Sequence, residues 1–134
     1  MRLTKAQRTD LRAKFGGRCA YCGCELGERF HADHFEPCER KLKFVSGKGL
    51  IASGEFHRPE SNRLDNFMPA CAPCNISKHS MTLEGWRNWL AGHVNSLNQY
   101  HPIYRLAKSY GLIVETGAAV VFHFERVAQE SANG

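Results

Sequence analysis

Two Cys-x-x-Cys pairs, Cys19-Ala20-Tyr21-Cys22 and Cys71-Ala72-Pro73-Cys74, constrain this chain more than any other feature. A CxxC turn aims two thiolates at one point, and two such turns complete the tetrahedral sulfur site that zinc favours. Turn residues frame both pairs, with Gly16-Gly17 and Gly23 about the first and Pro69 and Pro73 about the second. The gap between the pairs is longer than in a minimal zinc ribbon, so they bracket an inserted functional unit. Cys24 and Cys38 are left over and read as free thiols, although Cys24 sits close enough to compete with Cys22. The amino end, Met1-Arg2-Leu3-Thr4-Lys5, has no apolar core of a secretory signal. Cysteines in such a chain point to metal or catalysis before disulfides, and a redox CxxC protein is the weaker rival.

At 134 residues one domain over 1–134 is the expectation. With 43% hydrophobic and 23% charged residues the chain is neither disordered nor fibrous. Its longest apolar stretch, Ala118 to Phe122, is far too short to span a bilayer, so a cytoplasmic protein with no membrane partner is expected. The net charge of +5 is unevenly placed. Residues 1–18 carry Arg2, Lys5, Arg8, Arg12, Lys14 and Arg18 against Asp10 alone, and residues 39–63 are again basic. Between them, Glu25, Glu28, Asp33 and Glu36 face only Arg29. Two basic segments flanking an acidic one suit a protein that holds a polyanion by its sides and a divalent cation at its centre, the alternative being solvated charge.

Thr4-Lys5-Ala6-Gln7 is a capping-box signature, and Leu3, Gln7, Leu11 and Phe15 repeat at helical spacing, which predicts a helix over 5–15. Its other face carries Lys5, Arg8 and Arg12, a stripe suited to a phosphate backbone. Residues 29–35 alternate as a strand ending at Pro37. Residues 39–63 are a long basic loop or ribbon, and within it Arg40, Lys41, Lys43, Lys48 and Arg58 are candidate nucleic-acid contacts. Leu64 to Ala70 reads as a second strand, 75–79 as one or two helical turns, and 82–97 as a helix capped by Thr82. Pro102 opens another helix closed by Gly111, and 112–127, broken at Thr116-Gly117, reads as a hairpin. Trp86, Trp89, Tyr100 and Tyr104 follow helical spacing and read as packing residues; His57, His93, His101 and His123 carry no spacing signal.

Asp33-His34 lies between the CxxC pairs, with Asn66 ahead of the second pair and Asn75, Lys78 and His79 behind it. A zinc staple clamps these residues together whatever their sequence distance. Asp33 and Asn75 offer the oxygen ligands that a hard cation such as magnesium prefers. An imidazole off the metal, with an unperturbed pKa near 6.5, suits taking a proton from water that attacks a phosphate.

The ordered run Cys19xxCys22, Asp33-His34-Phe35-Glu36-Pro37, then Asp65-Asn66-Phe67-Met68-Pro69-Ala70-Cys71xxCys74-Asn75xxLys78 resembles the HNH endonucleases with a ββα-metal finger, in their zinc-stabilised form. The likeness covers roughly residues 15–90. It implies an α+β fold: a ββα-metal finger stapled by a four-Cys zinc site, here with flanking helices and a C-terminal β-hairpin. By position it implies Asp33 as first ligand of a catalytic Mg2+ or Mn2+, His34 as general base, Asn66 as the residue that positions the base's loop, and Asn75 as second ligand. Cys19, Cys22, Cys71 and Cys74 match the structural Zn2+ site, and Lys78 is placed to reach a phosphate oxygen. Asn75 stands where the family name has histidine, as in Asn-bearing members such as phage junction resolvases. His79, one turn later, is a further candidate ligand, as is His31 on the strand face of Asp33.

The implied activity is hydrolysis of DNA phosphodiester bonds, with RNA not excluded. A non-catalytic zinc module that binds nucleic acid is the rival reading. Oligomeric state is open between monomer and homodimer, as is the biological setting among phage or mobile element, restriction and recombination.

Overall fold

The first helix, α1 (Lys5–Ala13), starts as its capping box predicts. Gln7 N–H donates to Thr4 Oγ1 at 3.1 Å and Thr4 N–H to Gln7 Oε1 at 2.9 Å, which satisfies two donors that a helix start leaves open. Leu11 is its buried residue, and Gly16 and Gly17 end the segment at φ 63° and 80°, where a Cβ is strained. The computed structural model describes residues 1–133. It divides into two units: Met1–Leu83 together with the segment from Phe122, and Glu84–Val121.

In the first unit, four strands make two separate antiparallel pairs. Strand β1 (His31–His34) pairs with β4 (Phe67–Ala70), with Asp33 opposite Met68 and His34 opposite Phe67. Strands β2 (Arg40–Val45) and β3 (Gly49–Phe56) pair as a hairpin, so the basic insertion is a ribbon. Two 3-10 turns, Pro59–Ser61 and Leu64–Asn66, then return the chain to β4. The strand expected from residue 64 therefore begins at Phe67. All of β4 is buried, and Phe67 and Met68 join Leu11, Tyr21, Leu26, Phe30 and Phe122 in the apolar core. Each such large side chain contributes roughly 1.5–3 kcal/mol by leaving water.

Helix α2 (Ala72–Lys78) starts inside the second CxxC, earlier than the 75–79 expected. Pro73 sits in its first turn, where a missing N–H costs nothing.

The hairpin expected over 112–127 does not form. Residues 112–122 pair with no strand among the described residues, and α6 (His123–Asn133) is helical. Glu125, Arg126, Ala128, Gln129 and Glu130 are good helix formers, and Glu125 Oε1 accepts the Phe122 N–H at 2.9 Å, half of a capping box. The β-branched run before it has strand composition but finds no partner edge, and composition alone makes no sheet.

The helix expected over 82–97 is broken in two, α3 (Leu83–Ala91) and α4 (His93–Tyr100). At the break, the Gly92 N–H is shared between the carbonyls of Asn88 and Trp89, each at 3.2 Å, and glycine is a poor helix former. Trp86 is buried as expected, whereas Trp89 and Tyr100 are exposed. Helix α5 (Pro102–Ser109) ends at Gly111, φ 74°, as predicted. Glu115 ties the second unit together by accepting from Asn98 Nδ2 at 2.6 Å, Tyr104 Oη at 2.9 Å and Lys108 Nζ at 3.1 Å.

Candidate metal centre and active site

The first CxxC turn is held by the backbone. Ala20 N–H donates to Pro69 O on β4 at 2.8 Å, and Cys19 N–H to Cys24 O at 2.8 Å. Gly23, at φ 79°, is required twice over: its conformation favours glycine, and a Cβ there would stand 3.0 Å from His123 Nδ1. His123 N–H and Phe124 N–H donate to Tyr21 O and Ala20 O, so the start of α6 backs this turn. Phe122 and Phe124 pack edge-on against the Tyr21 ring at 5.7 and 6.3 Å.

Cys19, Cys22, Cys71 and Cys74 converge, all four sulfurs lying within 4.8 Å of one another. Cys22 and Cys71 Sγ are 3.7 Å apart, close to the edge of a sulfur tetrahedron of about 3.8 Å implied by Zn–S bonds of about 2.3 Å. Cys19 is fully buried, and its sulfur accepts the N–H groups of Tyr21 and Cys71, each at 3.4 Å. A hydrogen bond from the Cys74 thiol holds the Cys19 thiol well below the usual thiol range and pushes Cys74 up. The donor set and spacing fit a structural zinc ion. Cys24 and Cys38 stand outside the cluster. The Cys24 thiol is pushed up to about 12, by desolvation first and then by hydrogen bonding to Cys22 and Cys71, which disfavours it as a competing thiolate.

Asp33 and His34 end β1. Asp33 is buried, and its Oδ2 accepts from Tyr21 Oη at 2.6 Å and lies 3.2 Å from Lys78 Nζ. Burial raises its pKa, opposed by the Lys78 charge and by hydrogen bonds from Tyr21 and Lys78. Burial and the Asp33 charge push the Tyr21 phenol up, so it stays protonated and donates. Lys78 is at 0% exposure and also donates to His34 O at 2.8 Å. Lys78 is thus buried between α2 and β1, with its ammonium turned to Asp33 and to the His34 carbonyl. A surface role needs solvent, and this ammonium has none.

The His34 ring packs on Phe67 with centroids 4.6 Å apart, and its Nε2 lies 3.1 Å from Asn62 Oδ1. A ring that donates from Nε2 to this amide oxygen keeps Nδ1 as its acceptor nitrogen. Asn66 is buried and engaged at every polar atom. Its Oδ1 accepts from Glu36 N at 2.9 Å, its Nδ2 donates to Glu36 O at 2.8 Å and Ser61 O at 2.7 Å, and its own carbonyl accepts from Phe35 N. The turn that follows His34 is thereby pinned.

Asn75 lies one helical turn before Lys78 on α2 and so shares its face. Its amide has no hydrogen-bond partner among the described residues, and the hydrogen bonds of Asp33 engage only Oδ2. His79 caps α2 at φ 50°, exposed, with its ring 2.9 Å from Ser80 Oγ, and His31 is exposed at the start of β1. The N-terminal basic stripe is partly spent on structure: Arg8 donates to Phe30 O at 2.8 Å and covers the Phe30 ring, and Arg12 donates to Leu26 O at 2.6 Å. Lys5, Arg40, Lys43, Lys48 and Arg58 are exposed, while Lys41 is half-buried beside Glu55.

Three residues of this constellation carried no sequence signal as site residues. Tyr21 is an interior position of a CxxC turn, Asn62 belongs to no motif, and Phe56, whose ring is 6.5 Å from that of His34, closes the ribbon.

Fold and site define a mixed α+β protein with a four-cysteine cluster whose spacing suits a metal ion, together with a strand that ends in Asp-His. Over 91 residues the chain is 31% identical to the SPbeta prophage-derived YoqL of Bacillus subtilis (strain 168), a protein named as a candidate HNH endonuclease. The match covers 64% of this chain and 34% of the relative, so the chain spans about a third of that protein's length. The likeness to the HNH endonucleases read from the sequence therefore stands. No protein-family profile matches the chain. No solved structure matches it. Among the described residues no helix is long and apolar enough to cross a membrane.

Proposed function

We propose that this protein is a metal-dependent HNH endonuclease that hydrolyses DNA phosphodiester bonds, with β1, β4 and α2 as its ββα-metal finger. The observation that carries this reading is the joining of Asp33 and His34 to α2 through one buried ammonium, Lys78. Asn75, three residues before Lys78, lies on the same side of α2 as that clamp. A carboxylate oxygen and a side-chain amide oxygen without partners among the described residues are the donors that a hard divalent ion prefers, so Asp33 and Asn75 fit magnesium or manganese. When bound, such an ion supplies electrostatic stabilisation for the charge that develops on the phosphate and the leaving oxygen.

The chain's own groups do the rest. His34 takes the proton of the attacking water at Nδ1, because Asn62 holds hydrogen on Nε2. Asn66 holds the turn after His34 through Phe35 and Glu36, which restricts the ring to productive orientations. Tyr21 and Lys78 hold Asp33 with one oxygen turned away from them. A structural zinc ion held by Cys19, Cys22, Cys71 and Cys74 would tie the first CxxC turn to the start of α2. The exposed cations of the ribbon and of α1 supply sequence-independent attraction to phosphate.

The test is conversion of supercoiled plasmid to nicked and linear forms with added magnesium or manganese, wild type beside His34→Ala. Wild type is expected to cut only with metal, and the variant to lose roughly 10²–10⁴ in rate, the usual contribution of a general base, while still binding DNA. Equal cutting by both removes His34 from its role. A zinc-loaded, folded wild type that binds DNA and never cuts it or RNA favours the binding-module reading instead.

A further inference from the structure

Among the described residues nothing covers one face of the β2–β3 ribbon. In the antiparallel register Leu42 stands opposite Ala52 and Phe44 opposite Leu50, and directly opposed residues share a face. On that face Leu42 is 60% exposed, Phe44 73% and Leu50 68%. The reverse face carries Lys43 opposite Ile51, with Val45 and Lys41 in the alternating positions. Arg40 stands at the base of the ribbon and Lys48 in its turn, and Glu55 is the acid within the two strands. An apolar face of this kind on a two-stranded ribbon is costly to leave in water, since such hairpins are marginal by themselves.

We propose that this face is a wedge for duplex DNA: the Phe44 and Leu50 side chains enter the groove, unstack a base step and bend the duplex beside the His34 site. The proposal rests on the nuclease reading of that site and names the form of substrate it takes. Charge selects the occupant. The ribbon carries Arg40, Lys41, Lys43 and Lys48 against Glu55 as the acid within its strands, a charge that a polyanion neutralises and a second copy of the same ribbon would only double. Dimensions agree as well. Two strands stand about 4.8 Å apart, and the major groove of duplex DNA, about 12 Å wide, admits a two-stranded β-ribbon. Apolar side chains inserted between base steps are a known way to kink a duplex. Lysines on the reverse face can swing their long stems sideways to the phosphate walls.

The ribbon is anchored at the site. Phe56 pairs with Arg40 at its base and lies 6.5 Å from the His34 ring. Phe44 is four residues further along β2, about 13 Å at 3.3 Å per residue, or about four base pairs of duplex. The distorted step is therefore expected within about six base pairs of the scissile bond.

The test uses the full zinc-loaded chain without added magnesium or manganese, on duplexes with 2-aminopurine tiled through the sequence, comparing wild type with Phe44→Ala/Leu50→Ala. The replaced side chains are exposed, so the fold should be kept, which circular dichroism checks. A rise in 2-aminopurine fluorescence at one or two adjacent steps is expected with wild type. The double variant should lose that rise and roughly tenfold in affinity, in the range found for removing a base-contacting aromatic. Four results overturn the proposal: wild type that does not bind duplex, wild type that binds or nicks duplex without unstacking a base, a variant that unstacks and binds like wild type, and a variant whose only change is a dimer turned monomer in sedimentation. Plasmid nicking in a separate arm keeps the two readings apart. Unstacking that depends on Phe44 and Leu50, without nicking by wild type, leaves the wedge standing and removes the nuclease.

Discussion

Lys78 shows how one residue joins chemistry to folding. Its charge is completely out of water and is compensated by Asp33 at 3.2 Å and by the His34 carbonyl at 2.8 Å. Lys78→Met keeps the length of the stem but leaves the Asp33 carboxylate buried with only Tyr21 as a donor. Breaking one side of a buried pair typically costs about 3–5 kcal/mol, so urea midpoints should fall accordingly. A midpoint within error of wild type would return Lys78 to the surface role that its motif position suggests. Asn62 is the second such residue. If it selects the His34 tautomer, Asn62→Ala should slow plasmid nicking by roughly tenfold, less than His34→Ala, with DNA affinity and melting temperature unchanged. Loss of affinity instead would make Asn62 a DNA contact.

At the scale of elements, the four cysteines set where β1, β4 and α2 meet. The first turn hangs from β4 through Ala20 and Pro69, and the second runs into the first turn of α2. With two strands of four residues and one helix of seven, these elements cannot hold together on local propensity. Structural zinc sites provide folding free energy on the order of 10 kcal/mol, so chelation or Cys71→Ser should melt the finger, lowering far-UV ellipticity and abolishing the cooperative transition. A chelated protein that melts like wild type would show that the sulfur cluster holds no structural metal. The start of α6 is fixed both by its local Glu125 cap and by the Phe122 and Phe124 rings packed around Tyr21, a contact between residues about a hundred positions apart.

For the whole molecule, the net charge of +5 and the exposed cations of α1 and the ribbon predict DNA binding that weakens linearly in log affinity against log salt. Lys43→Gln and Lys48→Gln should each flatten that slope by about one, whatever the DNA sequence, whereas Lys78→Met should leave it unchanged because a buried ammonium releases no counterion. Equal effects of all three would place Lys78 on the DNA. Sequence alone was enough for the sulfur cluster, the capping box of α1, the Gly111 stop of α5 and the neighbourhood of Asp33, His34 and Asn66. The capping box and the glycine stop rest on short-range turn chemistry, and the sulfur cluster and its neighbours on two matching CxxC motifs and the ordered run about them, all of which a linear chain displays directly. Only the tertiary structure decided that Lys78 is a clamp, that Asn62 meets His34, that Arg8 and Arg12 hold backbone carbonyls, and that the apolar face of the ribbon is left bare by the described residues. Those outcomes depend on which distant groups fill the last place around a side chain, and burial and pairing are properties of the packed molecule that no local pattern encodes.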